Sequence, residues 1–255
     1  MEETRLITDW LGVAPFQLFL IEIVCVVAGF IRGLTGFGLA IVLVPLISLV
    51  IPPERTVLLA ILIASLGGGL GYREAWTNVD RPRIIKLMLA AALAMPLGMY
   101  ALFVTPPDVS RLLIAAIAVA AFFVIALPRA PLPPPGDVPV IIAGLVMGFL
   151  GAFAAIPGPP VIIYFVRSGI PATVSRDTMI VIFFWGPLMV ALLALAFGRI
   201  DLPLALLAVA GTPALMAGNA VGSRFFGKMP ESQWRWIILG SISVSVVGSV
   251  VRMFQ

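Results

Sequence analysis

Backbone amides of glycine and one arginine are the groups of this sequence best suited to bind a ligand. They cluster in a motif that occurs twice, 115 residues apart. Ala28-Gly29-x-x-x-Gly33-x-x-Gly36 runs on to Ala40-Ile41-x-x-x-Pro45, and Ala143-Gly144-x-x-x-Gly148-x-x-Gly151 runs on to Ala155-Ile156-x-x-x-Pro160. Each copy interrupts a long apolar run with helix-breaking residues. Amides at a broken helix end can replace the water around a compact oxyanion, helped by the helix dipole. Glycine lets the anion approach that backbone closely. The first copy offers the amides from Gly33 to Gly38, with Gly36 and Phe37 between them, and the hydroxyl of Thr35. The second offers Gly151 to Phe153 and Gly158, while Pro157, Pro159 and Pro160 donate nothing and shape the turn.

Arg32 stands beside the first turn in an apolar surround. A charge inside a membrane span marks a functional site by default, and the planar fork of arginine suits an oxyanion. The other reading puts Arg32 at the membrane interface as an anchor. Its counterpart in the second copy is Met147. Glu22 could serve a proton-coupled carrier, although a position near the interface fits it better. Gly29, Gly33, Gly144 and Gly148 have the spacing of close helix contact and are assigned mainly to packing, with Gly33 kept also as a candidate ligand. Trp185 and Asn219 are further candidate lining residues; aromatic packing and a hydrogen bond to a neighbouring helix are the commoner roles. Asp80 and Asp201 each precede a proline by two and fit helix N-caps.

Composition says where these residues sit. The chain has 255 residues, 61% hydrophobic and 11% charged, against about 25% charged in a soluble domain. Charges cluster between apolar runs of about 20 residues, the length that spans a bilayer as helix. The expectation is an all-α integral membrane protein in a bacterial inner membrane. The net charge of +4 comes from basic residues scattered singly in short loops, which argues against nucleic acid. The sequence has no histidine and a single cysteine, Cys25. Neither a metal cluster nor a nucleophile–base pair is evident, so no cofactor and no enzyme are expected. Glu2 and Glu3 at the N-terminus argue against a cleaved signal peptide.

The halves align beyond the motif. Glu54-Arg55-Thr56 matches Ser175-Arg176-Asp177, and Val79-Asp80-Arg81-Pro82 matches Ile200-Asp201-Leu202-Pro203, both at an offset of 121. The reading is one domain over residues 1–255, with repeat 1 at about 14–127, a proline-rich linker at 128–137 and repeat 2 at about 138–253. Each repeat opens with a glycine-broken segment, 16–51 or 138–167, read as a helical hairpin. Three helices follow: about 54–72, 83–104 and 109–127, then about 175–198, 202–222 and 232–252. A returning hairpin plus three crossings is an odd number, so the halves are expected to be inverted repeats. Ten basic residues then fall on one side and five on the other. The positive-inside rule makes the first side cytoplasmic and puts both termini outside. Such pairs of interrupted segments point to a secondary-transporter site. An intramembrane enzyme and an anion channel are the alternatives.

Two four-segment halves, each opening with G-x-x-G…P, resemble the TauE/SafE sulfite-exporter family. Pro157-Gly158-Pro159-Pro160-Val161-Ile162-Ile163-Tyr164 is similar to that family's G-G-P-P stretch with its apolar sequel. Arg176 followed by Thr178 is similar to the arginine-x-threonine that opens its next helix. The first copy departs from the family's glycine run, reading Gly36-Phe37-Gly38-Leu39-Ala40. The resemblance implies export of small sulfur-containing anions, sulfite or organosulfonates, and adds Arg176 to the candidate site. Coupling to protons or another ion, and assembly as a homodimer, are further expectations for such a carrier.

Overall fold

The computed structural model describes residues 10–35, 38–68, 72–77, 79–126, 136–167 and 172–225, together with 240 and 243. The described residues form α1 (Pro15–Thr35), α2 (Leu39–Ile47), α3 (Pro53–Gly67), α4 (Tyr72–Ala75) and α5 (Arg81–Val104). They continue with α6 (Pro107–Ala126), α7 (Asp137–Ala154), α8 (Gly158–Arg167), α9 (Ala172–Ala196) and α10 (Leu202–Arg224). Five of these helices are long and apolar enough to cross a membrane: residues 15–34, 81–104, 137–154, 177–196 and 202–224. The fold is that of a multi-pass helical membrane protein. Gly36, Phe37, most of the 128–137 linker and all but 240 and 243 of the helix expected at 232–252 lie outside the described residues.

Each broken segment pairs a long helix with a short one. The sequence reading of residues 16–51 as a hairpin left the length of its arms open. Helix α1 has 21 residues and α2 only 9, about 14 Å of helix against a hydrocarbon core of about 30 Å. In the second segment α7 has 18 residues and α8 has 10. Seven residues of α2 are buried, on all sides of the helix, as its uniformly apolar sequence requires.

The breaks fall at different points of the matched motif. The first helix stops at Thr35 and the next begins at Leu39 after Gly38, whose φ is 92°. In the second copy α7 stays helical through Ala154, the counterpart of Leu39. The reason is local. The first copy has Gly36 and Gly38 at the turn, whereas the second has only Gly151 before Pro157 and keeps helix until the proline forbids it. The α7 helix closes on Ala155 in the left-handed region (φ 56°). The Ala155 amide donates to the Gly151 carbonyl, the 5→1 bond of the αL C-cap, and the Ile156 amide donates to the Leu150 carbonyl. Alanine is strained there. Ala155→Gly is expected to stabilise by about 0.5–1 kcal/mol, read as a rise of a few degrees in thermal midpoint in detergent. A fall would show that the strain is relieved in some other way.

Two seams join helices far apart in the chain. Helix α1 packs on α10, and α7 packs on α5. Glycines set both seams. A Cβ on Gly29 would lie 2.2 Å from the Leu215 carbonyl oxygen, and one on Gly33 2.2 Å from that of Asn219. Gly144 and Gly148 meet the carbonyls of Leu87 and Ala91 in the same way, at 2.4 and 2.2 Å. Contacts four residues apart on one helix meet residues four apart, in the same order, on the other, so the paired helices run parallel. The registers differ: Leu215 lies 14 residues past the Asp201 cap, while Leu87 lies 7 past Asp80. That is two helical turns, and it matches the longer N-terminal part of α1 ahead of Gly29.

Polar contacts gather at the helix starts. Gln17 Nε2, near the start of α1, donates to the Val50 carbonyl just past α2 (3.1 Å). Arg55 at the start of α3 pairs with Asp201 at the start of α10 (3.0 Å). Arg111 Nε donates to the Ser48 carbonyl (2.7 Å), and the Arg199 guanidinium lies 4.2 Å from the Phe103 ring centre. Another group joins the starts of α5, α7 and α9. There the Asp80 amide reaches the Thr178 hydroxyl (3.5 Å), Lys86 pairs with Asp137 and Arg83 with Asp80. Asp80 accepts from the Arg83 amide and Asp201 from the Leu204 amide, so both aspartates cap helices as their spacing suggested.

One expected helix is shorter than its sequence suggested. The segment read as 54–72 ends as helix at Gly67. Gly67-Gly68-Gly69-Leu70-Gly71 is the sequence cause, since glycine is a poor helix former. Its counterpart α9 runs for 25 residues. The four-residue α4 follows the shortened end and packs on the middle of α9, where Tyr72 lies 4.7 Å from Phe184, ring centre to ring centre.

Candidate functional site

Both breaks open on the same small central cavity. Leu39 and Ala40 line it from the start of α2. Gly151, Ala155 and Pro157 line it from the end of α7 and the turn that follows. The walls are Ala60, Ile61 and Ala64 of α3, Met95 of α5, Met147 of α7, and Gly186, Pro187 and Val190 of α9. Its volume is about 30 Å³, room for roughly two water molecules. None of these lining residues has a charged or hydroxyl side chain, so the polar groups on offer are backbone.

The two short helices differ as donors. Helix α2 begins at Leu39 behind Gly38, with no side-chain cap. The amides of Leu39, Ala40 and Ile41 have no acceptor within their own helix, and the positive end of the helix dipole lies there. Helix α8 begins Gly158-Pro159-Pro160, and two of its first three residues carry no amide proton. Gly158 and Val161 are left as its donors. The start of α2 beside the cavity thus offers more free amides than the start of α8.

Several expected ligands lie elsewhere. Gly33 packs on the backbone of α10 and does not line the cavity; the GxxxG spacing requires that close approach. Asn219 stands at the same seam, its backbone against Gly33. Trp185 donates its indole N–H to the Tyr72 hydroxyl (3.0 Å) and helps hold α4 against α9. Phe153 is buried and stacks on Phe149, with 5.9 Å between ring centres, where it supports the turn. Pro159 is buried at the start of α8, and Gly158 stands against Ile162 and Phe183. Arg32 donates to the Gly67 carbonyl at the end of α3 (3.3 Å). Gly38 forms the turn beside the cavity. Gly36, Phe37 and the side chains of Thr35 and Arg176 lie outside the described residues. The α3 and α9 walls were missed by sequence reading. The glycine run after Ala64 and the Gly186-Pro187 pair were the available signs that these helices are irregular near the site.

A small cavity where two interrupted segments meet, within a bundle of apolar spans, is an arrangement expected of membrane transporters. A model of the sulfite exporter TauE/SafE family matches residues 21–248, nearly the whole chain, and the protein belongs to that family. It is therefore a transporter of a kind that handles sulfite and related sulfur anions, and not an enzyme. No curated protein and no solved structure matches it.

Proposed function

We propose that the protein is a secondary carrier that exports sulfite or a small organosulfonate, binding the anion in the central cavity on the amides of Leu39, Ala40 and Ile41. The observation that carries this is the meeting of both breaks at one cavity, with a donor-rich helix start on one wall. Gly38, Gly151, Pro157, Gly158 and Pro159 shape that site. Thr35, Gly36, Phe37 and Arg176 remain assigned to it from sequence and family resemblance. The cavity, about 30 Å³, is small for a sulfur oxyanion with its three or more oxygens, so loading it requires the elements that line it to part.

We further infer that the halves are inverted repeats whose hairpins enter from opposite faces. Three contacts support this. Gln17 with Val50 brings the first segment back to the end at which it began. Arg55 with Asp201 joins the starts of α3 and α10, and Asp80 with Thr178 those of α5 and α9. In eight single crossings with parallel halves, each of these pairs would stand on opposite faces. The basic-residue count makes the face of α5, α7 and α9 cytoplasmic.

Uptake into proteoliposomes tests the function. Labelled sulfite and methanesulfonate should show saturable flux, and acetate, which matches methanesulfonate in charge, should not. Equal, unsaturable flux of all three would indicate a channel and sink the carrier reading. Membrane-impermeant labelling of cysteines placed at Glu54 and Ser168 tests the arrangement. The inverted reading expects reaction from opposite faces.

A further inference from the structure

The cavity as lined has backbone donors but no counter-charge for an anion. The geometry points to Arg32 as that counter-charge: held on the end of α3 in this conformation, it turns into the cavity when the anion binds. This rests on the cavity being the anion site.

Four observations carry the assignment. Among the described residues Arg32 has no carboxylate within ion-pair distance. The bond shown for it is a single long one, 3.3 Å, to the Gly67 carbonyl, which leaves most of the five donors of its fork for another partner. Gly67 lies one helical turn beyond Ala64, which lines the cavity; the guanidinium therefore waits next to it. Finally, the counterpart of Arg32 in the second repeat is Met147, which lines the cavity and is fully buried. The repeat thus has a conformation in which this position faces the site. Arg32 does not line it here; α1 ends three residues past Arg32, whereas α7 continues seven residues past Met147.

The carbonyl at the end of α3 is a suitable holding point. The C-terminal end of a helix carries partial negative charge and unsatisfied carbonyls. It is weaker than an anion as a partner for guanidinium, so exchange toward a bound oxyanion is favourable.

The test is saturation of sulfite and methanesulfonate flux in proteoliposomes for the wild type, Arg32→Gln and Arg32→Lys, with thermal midpoints measured on the same samples with and without each anion. Arg32→Gln should raise KM at least about tenfold, about 1.4 kcal/mol of lost anion binding, and abolish the rise in midpoint that the anions cause. Arg32→Lys should stay within about threefold of wild type and keep that rise. Millimolar guanidinium should restore flux to Arg32→Ala, which a role confined to bracing α3 does not predict. Wild-type saturation with an unchanged KM in Arg32→Gln overturns the assignment and leaves the cavity reading standing. If Arg32→Gln does not fold, Arg32→Lys decides: a folded Arg32→Lys protein that no longer responds to the anions overturns it. Failure of the wild type to saturate with either anion removes the cavity reading and this assignment together.

Discussion

Gly148→Leu is expected to abolish the folded protein. A Cβ at this position would lie 2.2 Å from the Ala91 carbonyl oxygen and 2.6 Å from the Ala91 Cα. These are backbone atoms of α5 and cannot turn aside as a side chain can. Accommodating even one carbon means separating α7 from α5 along a seam that also carries Gly144 and Gly98, whose own Cβ positions lie 2.4 and 2.3 Å from backbone oxygens of the facing helix. Overpacking commonly costs about 1–3 kcal/mol where side chains adjust. Here the dispersion contacts of two helices are lost together, and packing is what holds helices together in lipid. The expected loss is about 4 kcal/mol or more, the range reserved for severe single substitutions. Size-exclusion profiles and thermal midpoints in detergent would check it. Gly136→Leu is the control, because nothing lies within 4 Å of a Cβ there. A Gly148→Leu protein that elutes and melts like wild type would show that the seam is looser than the backbone distances state.

Gly151→Val should do the opposite: the protein persists and transport stops. Gly151 is three residues further along α7, yet a Cβ on it would meet only Pro157 Cβ, at 3.4 Å. The rest of the side chain points where the backbone already lines the cavity. Three added carbons fill a space of about 30 Å³ and cover the approach to the α2 amides. The stability cost should stay within about 1–3 kcal/mol, while flux of sulfite falls by about two orders of magnitude or more, as expected when a backbone-donor site is closed to its ligand. Gly151→Ala should be intermediate. Near-normal flux in a folded Gly151→Val protein would move the anion path away from this cavity. Together the two variants separate glycines that hold the fold from a glycine that shapes the site, although all belong to one repeated motif.

Much of the architecture was legible in the chain. Apolar runs bounded by charges gave the membrane helices, and Asp80-Arg81-Pro82 and Asp201-Leu202-Pro203 gave two helix starts with their caps. The doubled motif located both interruptions. These features are legible because they follow from short-range chemistry: helix length against bilayer thickness, a cap and its amide, a proline without a proton. The GxxxG glycines could be assigned to close contact, but not to a partner.

The fate of individual glycines and polar residues needed the folded chain. Gly33 and Gly38 are five residues apart in one motif, yet one is pressed on α10 and the other forms the turn beside the cavity. Trp185 and Gly186 are neighbours in sequence, but Trp185 bonds Tyr72 while Gly186 lines the site. Helical geometry turns adjacent residues by about 100°, so which of them meets the site depends on the rotation of the helix, and neighbouring helices set that rotation. The shortening of α3 at Gly67, and so the carbonyl that receives Arg32, came from a glycine run that sequence reading passed over.

The sequence by itself determined a helical membrane protein with two interrupted apolar segments, because hydrophobic length and backbone-breaking residues act locally. Tertiary structure alone decided that α1 packs on α10 and α7 on α5, that the registers of these seams differ by two turns, and that both breaks face one cavity. Those outcomes arise from contacts between residues more than fifty positions apart. Their register depends on which backbones can come close, a property no single segment carries.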